Sequence, residues 1–315
     1  MSNKAPLVSV IIPNYNHGVY LKKRLDSVLD QSYQNFEVII LDDCSTDNSR
    51  DVIENYRGHT KISCIIYNEV NGGVPFYQWK KALGFTSGEL IWIAESDDYA
   101  DLNFLTSLVD RISDDVGIVF SDSNVVDHNG IIHNDYYKNF RNKNFNTSKW
   151  NSDYVITGIE EIEANLVFEC TINNMSATIF KKDLVNSLDF DQLFKFKYCG
   201  DWYFLMSMAL QTKIAYCAKP LNYFKYGTNN FKKGTKSTLN YLRERSMVRY
   251  FLWDELNELT VATKNKVYKQ LGMEMRIMIN ETLKLKINPL HLFQMFTYLL
   301  RLKVGLFRKQ MANIF

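Results

Sequence analysis

The chain has 315 residues, 46% of them hydrophobic and 23% charged, and its 37 basic and 35 acidic residues leave a formal net charge of +2. This composition is that of a globular protein, and the near balance of charge gives no reason to expect nucleic-acid binding. The five cysteines form no C-x-x-C pair, which argues against a disulfide framework or a zinc site and favours a reducing compartment. The apolar stretch before Pro13 is too short for a signal peptide, and no apolar run reaches the roughly 18 residues of a membrane span. We therefore expect a cytoplasmic protein.

The first hundred residues alternate between apolar runs and helical patterns. Runs rich in β-branched residues predict strands, and apolar residues three or four positions apart predict helices. The predicted strands span residues 7–12, 36–43, 61–69 and 90–94, and the predicted helices span residues 18–33, 45–57 and 75–87. This alternation predicts an α/β fold with a mostly parallel sheet and helices on both faces, in which ligands bind at the carboxyl ends of the strands.

The pattern is less regular after residue 105. A strand is predicted at 116–127, a strand followed by a helix at 172–185, a helix at 200–212, the last strands at 213–226, and helical spacing from 239 to about 286. Residues 128–155 are polar and aromatic and show few periodic features, so no element is predicted there.

Four polar turns follow predicted strands directly, so a parallel sheet would bring them to one edge. They are Pro13–Tyr15, Asp42–Asp43, Asn71–Gly73 and Glu95–Asp98. The last turn, E-S-D-D, places three carboxylates beside a buried strand, although carboxylates repel one another and resist burial. They either lie in water at the strand end or share a cation, and a cluster of carboxylate oxygens suits a hard divalent ion.

Five segments resemble, in order and spacing, those of family 2 glycosyltransferases with the GT-A fold. They are VSVIIPNYN, EVIILDDCSTDNS, NGG, GELIWIAESDDY and CGDWYFLMSMA, and the resemblance covers about residues 6–226. It implies a Rossmann-like GT-A domain over residues 1–230, made of a nucleotide-sugar-binding half (residues 1–100, the donor half) and an acceptor-binding half (residues 101–230, the acceptor half). A C-terminal helical region (residues 231–315) would follow.

The activity that this resemblance implies is inverting, metal-dependent sugar transfer by a hexosyl- or N-acetylhexosaminyltransferase. The donor would be a UDP-sugar, and the acceptor would be a hydroxyl of a glycan or lipid-linked saccharide in bacterial surface polysaccharide or lipopolysaccharide synthesis. Mn²⁺ or Mg²⁺ would neutralise the charge that develops on the departing diphosphate.

The resemblance also assigns roles in the donor half. Asp98 is the expected direct metal ligand, and Asp97 and Glu95 are further candidates that contact the ribose, the metal or metal-bound water. Asp43 matches the residue that accepts a hydrogen bond from the nucleobase imide N–H; because a carboxylate only accepts, this favours uracil over adenine. Tyr15, two residues after Pro13, matches the position that stacks on the base.

Three further assignments leave an alternative open. Asp42 is either a nucleotide-binding residue or a cap of the loop. Asn71 and Gly73 either let the backbone approach the ribose or diphosphate closely or form an ordinary turn. Asp201 matches the general base that removes the proton of the acceptor hydroxyl, although an aspartate at a helix start is also a common cap. Trp202 either stacks on a sugar or belongs to the core.

The chain departs from the family pattern after the final strand. Many members carry an R-x-H element there, whereas this chain has Lys225 and Gly227, and its five histidines are predicted to be surface residues. The metal would then hold fewer protein ligands and more water. Lys232, Lys233 and Lys236 either close over the diphosphate or lie in a solvated loop. Lys80 or Lys81 could replace the more usual R-N near residues 77–83.

Two segments are candidates for contacts with acceptor and membrane. Residues 136–154 carry six aromatic side chains among polar ones, which suits sugar recognition or local packing: Tyr136, Tyr137, Phe140, Phe145, Trp150 and Tyr154. Residues 289–315 are apolar and basic, and they are predicted either to place the protein peripherally on the inner face of the cell membrane or to pack on a helix or partner.

Two other functions compete with catalysis. One is a non-catalytic nucleotide-sugar or glycan-binding module of the same fold, which the absent histidine favours. The other, a nucleotidyltransferase, lacks support because no G-x-G-T-R-like phosphate loop follows the first strand. The donor sugar, the acceptor, the linkage and the oligomeric state are not determined by the sequence.

Overall fold

A computed structural model of the protein describes residues 5–227, 235–252 and 259–285, together with residues 297 and 300. The first hundred residues form β1 (Val8–Asn14), α1 (Gly18–Leu29), β2 (Phe36–Asp42), α2 (Ser49–Glu54), β3 (Ile62–Tyr67), α3 (Pro75–Leu83), β4 (Leu90–Ile93) and β5 (Tyr99–Ala100). They are followed by α4 (Phe104–Val109), β6 (Val116–Val126), β7 (Ile132–His133), α5 (Tyr136–Phe145), β8 (Tyr154–Thr157), α6 (Gly158–Glu161), β9 (Thr178–Lys181), α7 (Phe190–Leu193), α8 (Gly200–Ala209), β10 (Lys213–Lys225), α9 (Thr235–Phe251) and α10 (Val261–Leu285).

The strands of the described chain form one sheet. Its order is β3-β2-β1-β4-β9-β6-β10-β5, with β7 beside β6 and β8 beside β10. The block of β3, β2, β1 and β4 is parallel, as are β6 and β10, and the antiparallel strand β9 joins these two blocks. The predicted α/β fold with a largely parallel central sheet is confirmed.

Strand burial explains why the first strands could be predicted from composition. All seven residues of β1 and all four of β4 are buried. Alternate side chains of β1 enter two separate cores: Ile11 packs in the cluster that contains α3 and α8, and Val10 and Ile12 pack in the cluster that contains α1 and α4. A strand that is covered on both faces is expected to be apolar at nearly every position.

The strand that was predicted to stop at Pro13 continues through Asn14, which lies opposite Asp42 of β2. The Ile11 carbonyl points toward β4 and accepts a hydrogen bond from the backbone N–H of Ala94, just after that strand. The pairing of β1 with β4 ends at Ile11. Since strand residues alternate in direction, the Pro13 nitrogen faces the same side beyond the end of that ladder, where no amide hydrogen is needed.

Prediction was less accurate in the acceptor half. Residues 128–155, where no element was predicted, contain helix α5, and the helix predicted within 172–185 is only a 3-10 turn at Lys182–Val185. Residues 213–226 form one long strand, β10, rather than several. Strand β10 keeps its pairing with β6 through register shifts between Cys217 and Asn222, and such irregularities are invisible in an apolar pattern.

Helices α9 and α10 lie within the region that was predicted to be helical. The predicted lysine loop at Lys232 and Lys233 and nearly all of the segment 289–315 lie outside the described residues, as does the side chain of Lys236. Among the helices that are described, none combines the length and apolarity required to cross a membrane.

Candidate active site

A cavity of about 1120 Å³ lies where the strands of the parallel block end. Residues from all five motifs line it, because β1, β2 and β4 run in register and their following turns meet at one edge. The predicted site residues found in its wall are Pro13, Tyr15, Asp43, Asn71, Gly73, Glu95, Asp97, Asp98 and Asp201. The structure therefore brings together nine of the ten residues that were predicted for catalysis, nucleotide-sugar binding or metal binding.

The tenth, Asp42, does not line the cavity. It is fully buried and accepts hydrogen bonds from Asn14 Nδ2 (2.8 Å), from Ser45 Oγ (2.5 Å) and from the Ser45 backbone N–H (3.0 Å). These bonds join the ends of β1 and β2. The geometry is that of the loop cap, which was the alternative left open by the sequence, and it holds the backbone that carries Asp43.

Asp43 is buried at the cavity wall and organises the Asn-Gly-Gly turn. Its carboxylate accepts hydrogen bonds from Asn68 Nδ2 (2.6 Å) and from the Gly72 backbone N–H (2.9 Å), while Asn71 Nδ2 donates to the Asp43 carbonyl (3.2 Å). Gly73 has a φ of +80°, which side chains other than glycine rarely allow. The turn thus packs on Asp43 and exposes its backbone to the cavity.

The E-S-D-D turn is fixed from behind by a buried arginine. Arg24 of α1 is fully buried; its Nε donates to the Glu95 carbonyl (2.8 Å), and its Nη2 lies 4.0 Å from Asp98 Oδ2. Asp98 Oδ1 accepts from the backbone N–H of Lys225 (2.9 Å), and Glu95 Oε1 accepts from Trp79 Nε1 (3.2 Å). The end of β10 therefore reaches the acidic cluster through its main chain.

The electrostatic state of the cluster shows how poorly these charges are compensated. Burial, followed by the charges of Asp97 and Asp98, raises the pKa of Glu95 to about 8. Burial and Asp97 also raise the pKa of Asp98, although Arg24 opposes the shift. Within the described residues, no three His, Cys, Asp or Glu side chains form a ready metal-binding group. A cation that entered from the cavity would stabilise carboxylates in this state.

Asp201 lies at the start of α8 and lines the same cavity as the acidic turns. Its Oδ1 accepts from the Trp202 backbone N–H (2.8 Å), and burial raises the pKa of Asp201 to about 6. A Cβ on Gly200 would lie 2.2 Å from Cζ of Phe76, so only glycine lets α8 begin this close to α3 of the donor half. A half-buried carboxylate with a pKa near neutrality suits proton abstraction.

Trp202 is a core residue. It is 2% exposed, and its Nε1 donates to the Leu166 carbonyl (2.8 Å). The guanidinium groups of Arg245 and Arg249 lie over its ring at 5.4 and 5.2 Å. Because its polar edge is hydrogen-bonded and two guanidinium groups lie over its ring, packing accounts for the tryptophan, although it also lines the cavity.

The aromatic segment 136–154 divides into two groups. Tyr136, Tyr137 and Phe140 of α5 line the cavity, whereas Trp150 is fully buried. Phe145 packs on Trp150, and Tyr154 packs on Tyr216. Only the first group is available to an acceptor.

The lysines proposed near 77–83 point elsewhere. Lys80 lies over the rings of Phe190 and Phe194, and Lys81 Nζ donates to Asn68 Oδ1 (2.5 Å). Neither lysine lines the cavity.

Sequence reasoning missed His17, which it treated as a surface residue. His17 lines the cavity, and its Nδ1 lies 2.9 Å from Ser96 Oγ in the centre of the E-S-D-D turn. Its position two residues after Tyr15 and at the N-terminus of α1 is the signal that could have revealed it. Lys197 and Tyr198, in the loop before α8, also line the cavity and were missed.

Comparison with known proteins agrees with this architecture. Residues 9–168 match the family model described as Glycosyl transferase family 2. The chain is similar to the teichuronic acid biosynthesis glycosyltransferase TuaG of Bacillus subtilis (42% identity over 31% of this chain and 38% of that protein). It is also similar to the poly(ribitol-phosphate) beta-N-acetylglucosaminyltransferase TarS of Staphylococcus aureus (33% identity over 35% of this chain and 20% of that protein).

Solved structures show the same fold. The crystal structure of S. aureus TarS 1–349 in complex with UDP-GlcNAc aligns with a TM-score of 0.62 at 18% identity, covering 95% of this chain and 81% of that one. The mannosyltransferase PcManGT of Pyrobaculum calidifontis, in complex with GDP-Man and Mn²⁺, aligns with a TM-score of 0.57 at 13% identity, covering 97% and 88% of the two chains.

The sheet order, the cavity at the strand ends and the structural likeness define a GT-A fold. The chain belongs to glycosyl transferase family 2. Its matched segments span between a fifth and two fifths of the length of the curated relatives named above.

Proposed function

We propose that the protein is an inverting glycosyltransferase that moves a hexose or N-acetylhexosamine from a UDP-sugar to a hydroxyl of a glycan or lipid-linked saccharide. The observation that carries the proposal is a single cavity that joins Asp43, the acidic turn and the half-buried Asp201. The names of its relatives point to synthesis of bacterial surface polysaccharide. UDP-GlcNAc is the first donor to test, because TarS was crystallised with it.

The charge of the cavity supports metal dependence. Among the described residues that line it, six carry carboxylates and Lys197 is the only lysine or arginine; the acids are Asp43, Glu95, Asp97, Asp98, Glu169 and Asp201. A nucleotide diphosphate would be repelled from such a wall. Asp98, with Asp97 and Glu95, would hold Mn²⁺ or Mg²⁺, which neutralises the diphosphate when bound.

The remaining steps follow from the protein's own side chains. Asp43 accepts the imide N–H of uracil, Tyr15 covers the base, and the exposed turn at Asn71 and Gly73 approaches the ribose or diphosphate. Asp201 takes the proton of the acceptor hydroxyl. The hydroxyl oxygen bonds to the anomeric carbon as the bond from that carbon to the diphosphate oxygen breaks, so UDP leaves with the electron pair and the configuration inverts.

The organisation and location of the protein belong to the same proposal. Residues 1–230 would form the transferase domain and residues 231–315 the helical region. We place the protein in the cytoplasm and peripherally on the inner face of the cell membrane, where lipid-linked acceptors lie. The sequence of residues 289–315 supports the membrane part of this proposal.

The test is UDP release from UDP-GlcNAc, UDP-GalNAc, UDP-glucose and UDP-galactose, with Mn²⁺ or with EDTA, using water and lipid-linked saccharides as acceptors. We expect turnover of at least one donor that requires the metal. UDP binding without turnover of any donor would contradict catalysis and favour a non-catalytic binding module. Turnover that is unchanged in EDTA would contradict metal dependence.

A further inference from the structure

The loop that precedes Asp201 is held by one carboxylate from the C-terminal helical region. Glu244 of α9 is 2% exposed. Its oxygens accept hydrogen bonds from three consecutive backbone N–H groups, those of Lys197 (3.0 Å), Tyr198 (2.6 Å) and Cys199 (3.0 Å). These donors lie in the loop directly before α8, close to the positive end of the helix dipole, which attracts negative charge. Charge-assisted bonds of this kind are stronger than neutral ones.

The same helix also holds the chain on the other side of Asp201. Arg245 and Arg249 lie over Trp202, the residue after Asp201. Both arginines donate to the Phe168 carbonyl, and both form ion pairs with Glu274 of α10. Successive residues of α9 therefore fix the backbone before Asp201 and the side chain after it.

We propose that Glu244 is a positioning residue for sugar transfer, which holds the 197–199 loop so that the Asp201 carboxylate faces the acceptor hydroxyl. This inference rests on the proposed function of Asp201. It assigns α9, which lies outside the segment matched by the family model, a part in building the base site. A displacement of about 1 Å in a catalytic group can lower the rate by about 100-fold. Loss of the hydrogen bonds that hold the loop should therefore lower kcat.

Several charged groups surround this pair and set its response to pH. Cys170 and Cys199 lie near Asp201, and Cys199 also lies near Glu244, Arg245 and Arg249. Arg245 in turn pairs with Glu169, and both arginines pair with Glu274 of α10. Burial is the main reason that the pKa of Asp201 is raised, and the charge of Glu244 adds to it. Removal of that charge should therefore move the acid limb of the rate profile to lower pH.

The test is the variant Glu244→Gln, assayed with Mn²⁺ and the UDP-sugar of the panel that is turned over fastest. Glutamine keeps the size of the side chain but offers one acceptor oxygen and an NH₂ group that opposes the backbone donors. We expect kcat to fall about 10- to 100-fold, KM for the donor to stay within about twofold, and the acid limb to shift to lower pH. If Glu244 contributed only to stability, the folded enzyme would keep the wild-type kcat, and the acid limb of its pH–rate profile would not shift.

The matched control is Glu89→Gln, which makes the same chemical change at an exposed position before β4, at the opposite edge of the sheet. It should behave as the wild type. If Glu244→Gln does not fold, as judged by loss of UDP binding, Glu244→Asp tests the proposal: it keeps the charge but cannot span the same three donors, so kcat should fall without a shift of the acid limb.

The outcomes separate this inference from the proposed function. The positioning role would be overturned if Glu244→Gln had the wild-type kcat and pH profile. Where that variant does not fold, a wild-type kcat in Glu244→Asp would overturn it. An inactive Asp201→Asn would still support the base assignment in either case. Full activity of Asp201→Asn would instead overturn the base assignment on which this inference rests, and UDP binding without turnover by the wild type would overturn the proposed function itself.

Discussion

The donor half and the acceptor half place charged side chains differently. In the donor half, most of the site residues occur in turns after strands, and the buried Arg24 contacts one of these turns. Asp43 directly follows β2, and Glu95 lies two residues after the end of β4. In the acceptor half, charged side chains penetrate the packing: Arg141 is 2% exposed and pairs with the fully buried Asp122. One half presents its acids at an edge, and the other uses ion pairs to hold its irregular segments.

The difference shows that two physical devices build one cavity. Parallel strands bring the donor-side residues to one edge through their register, and polar bonds such as that from Arg24 Nε to the Glu95 carbonyl then hold the turns. Asp201 has no such strand to position it and depends on side chains of α9, more than forty residues further along the chain. Variants in the two halves should therefore affect binding and chemistry separately.

The largest effect is expected for Asp201→Asn. Because it removes the proton acceptor but leaves the nucleotide side intact, kcat should fall by about 10²- to 10⁴-fold. The dissociation constant for UDP with Mn²⁺, measured by calorimetry, should not change. Asp191→Asn, at an exposed position in α7, is the control. Full activity of Asp201→Asn would show that the base lies elsewhere.

The second effect concerns stability of the acceptor half. Arg141 of α5 donates to Asp122 and, at 3.0 Å, to the Thr171 carbonyl. Arg141→Met would leave the Asp122 carboxylate buried without its partner, and the free energy of unfolding should fall by about 3–5 kcal/mol. Urea denaturation measures this loss.

A double variant sharpens that experiment. Arg141→Met combined with Asp122→Asn removes both charges and should recover much of the loss, because replacing a buried pair is often nearly neutral. The control Arg57→Met changes an exposed arginine of the donor half and should leave the midpoint unchanged. Equal destabilisation by Arg141→Met and Arg57→Met would mean that the buried pair does not hold α5.

The sequence predicted most of the donor half because its signals are local. Strands β1 to β4 are apolar runs of four to seven residues, and each ends at a polar turn that is visible in the sequence. The direction of Asp42 could not be predicted in the same way. Neighbouring residues at a strand end point to opposite sides, and only the partners Asn14 and Ser45 show that Asp42 faces inward while Asp43 faces the cavity.

The acceptor half was predicted less well because its signals are long-range. Helix α5 carries polar and aromatic residues without an apolar stripe, and its packing depends on Arg141, whose partners Asp122 and Thr171 lie 19 and 30 positions away. The motif around Asp201 was found, but the contribution of Glu244 was not, since nothing in its local sequence indicates that it binds the loop at residues 197–199.

A smaller effect is expected from Asp43→Asn, which tests binding by the donor half. The carboxylate would lose its charge and one acceptor site, and a hydrogen bond to a charged group contributes about 1.5–3 kcal/mol. The dissociation constant for UDP should rise about 10- to 100-fold, while kcat at saturating donor changes little. Asp51→Asn, exposed on α2, is the control. Unchanged UDP affinity would remove Asp43 from the nucleotide site.

The smallest effect is a pH dependence that belongs to the acceptor half alone. Burial raises the pKa of Asp201 to about 6, so the carboxylate that must accept a proton is increasingly protonated as the pH falls through that value. The rate kcat should therefore be roughly half its plateau near pH 6 and should fall about tenfold for each further pH unit. If the acidic turn binds Mn²⁺ as proposed, saturating donor and Mn²⁺ hold it in a deprotonated form during the measurement. If kcat instead stayed at its plateau down to pH 4.5, no carboxylate with a raised pKa would be accepting the proton. The assignment of nucleotide binding to the donor half and of proton abstraction to the acceptor half would then be wrong.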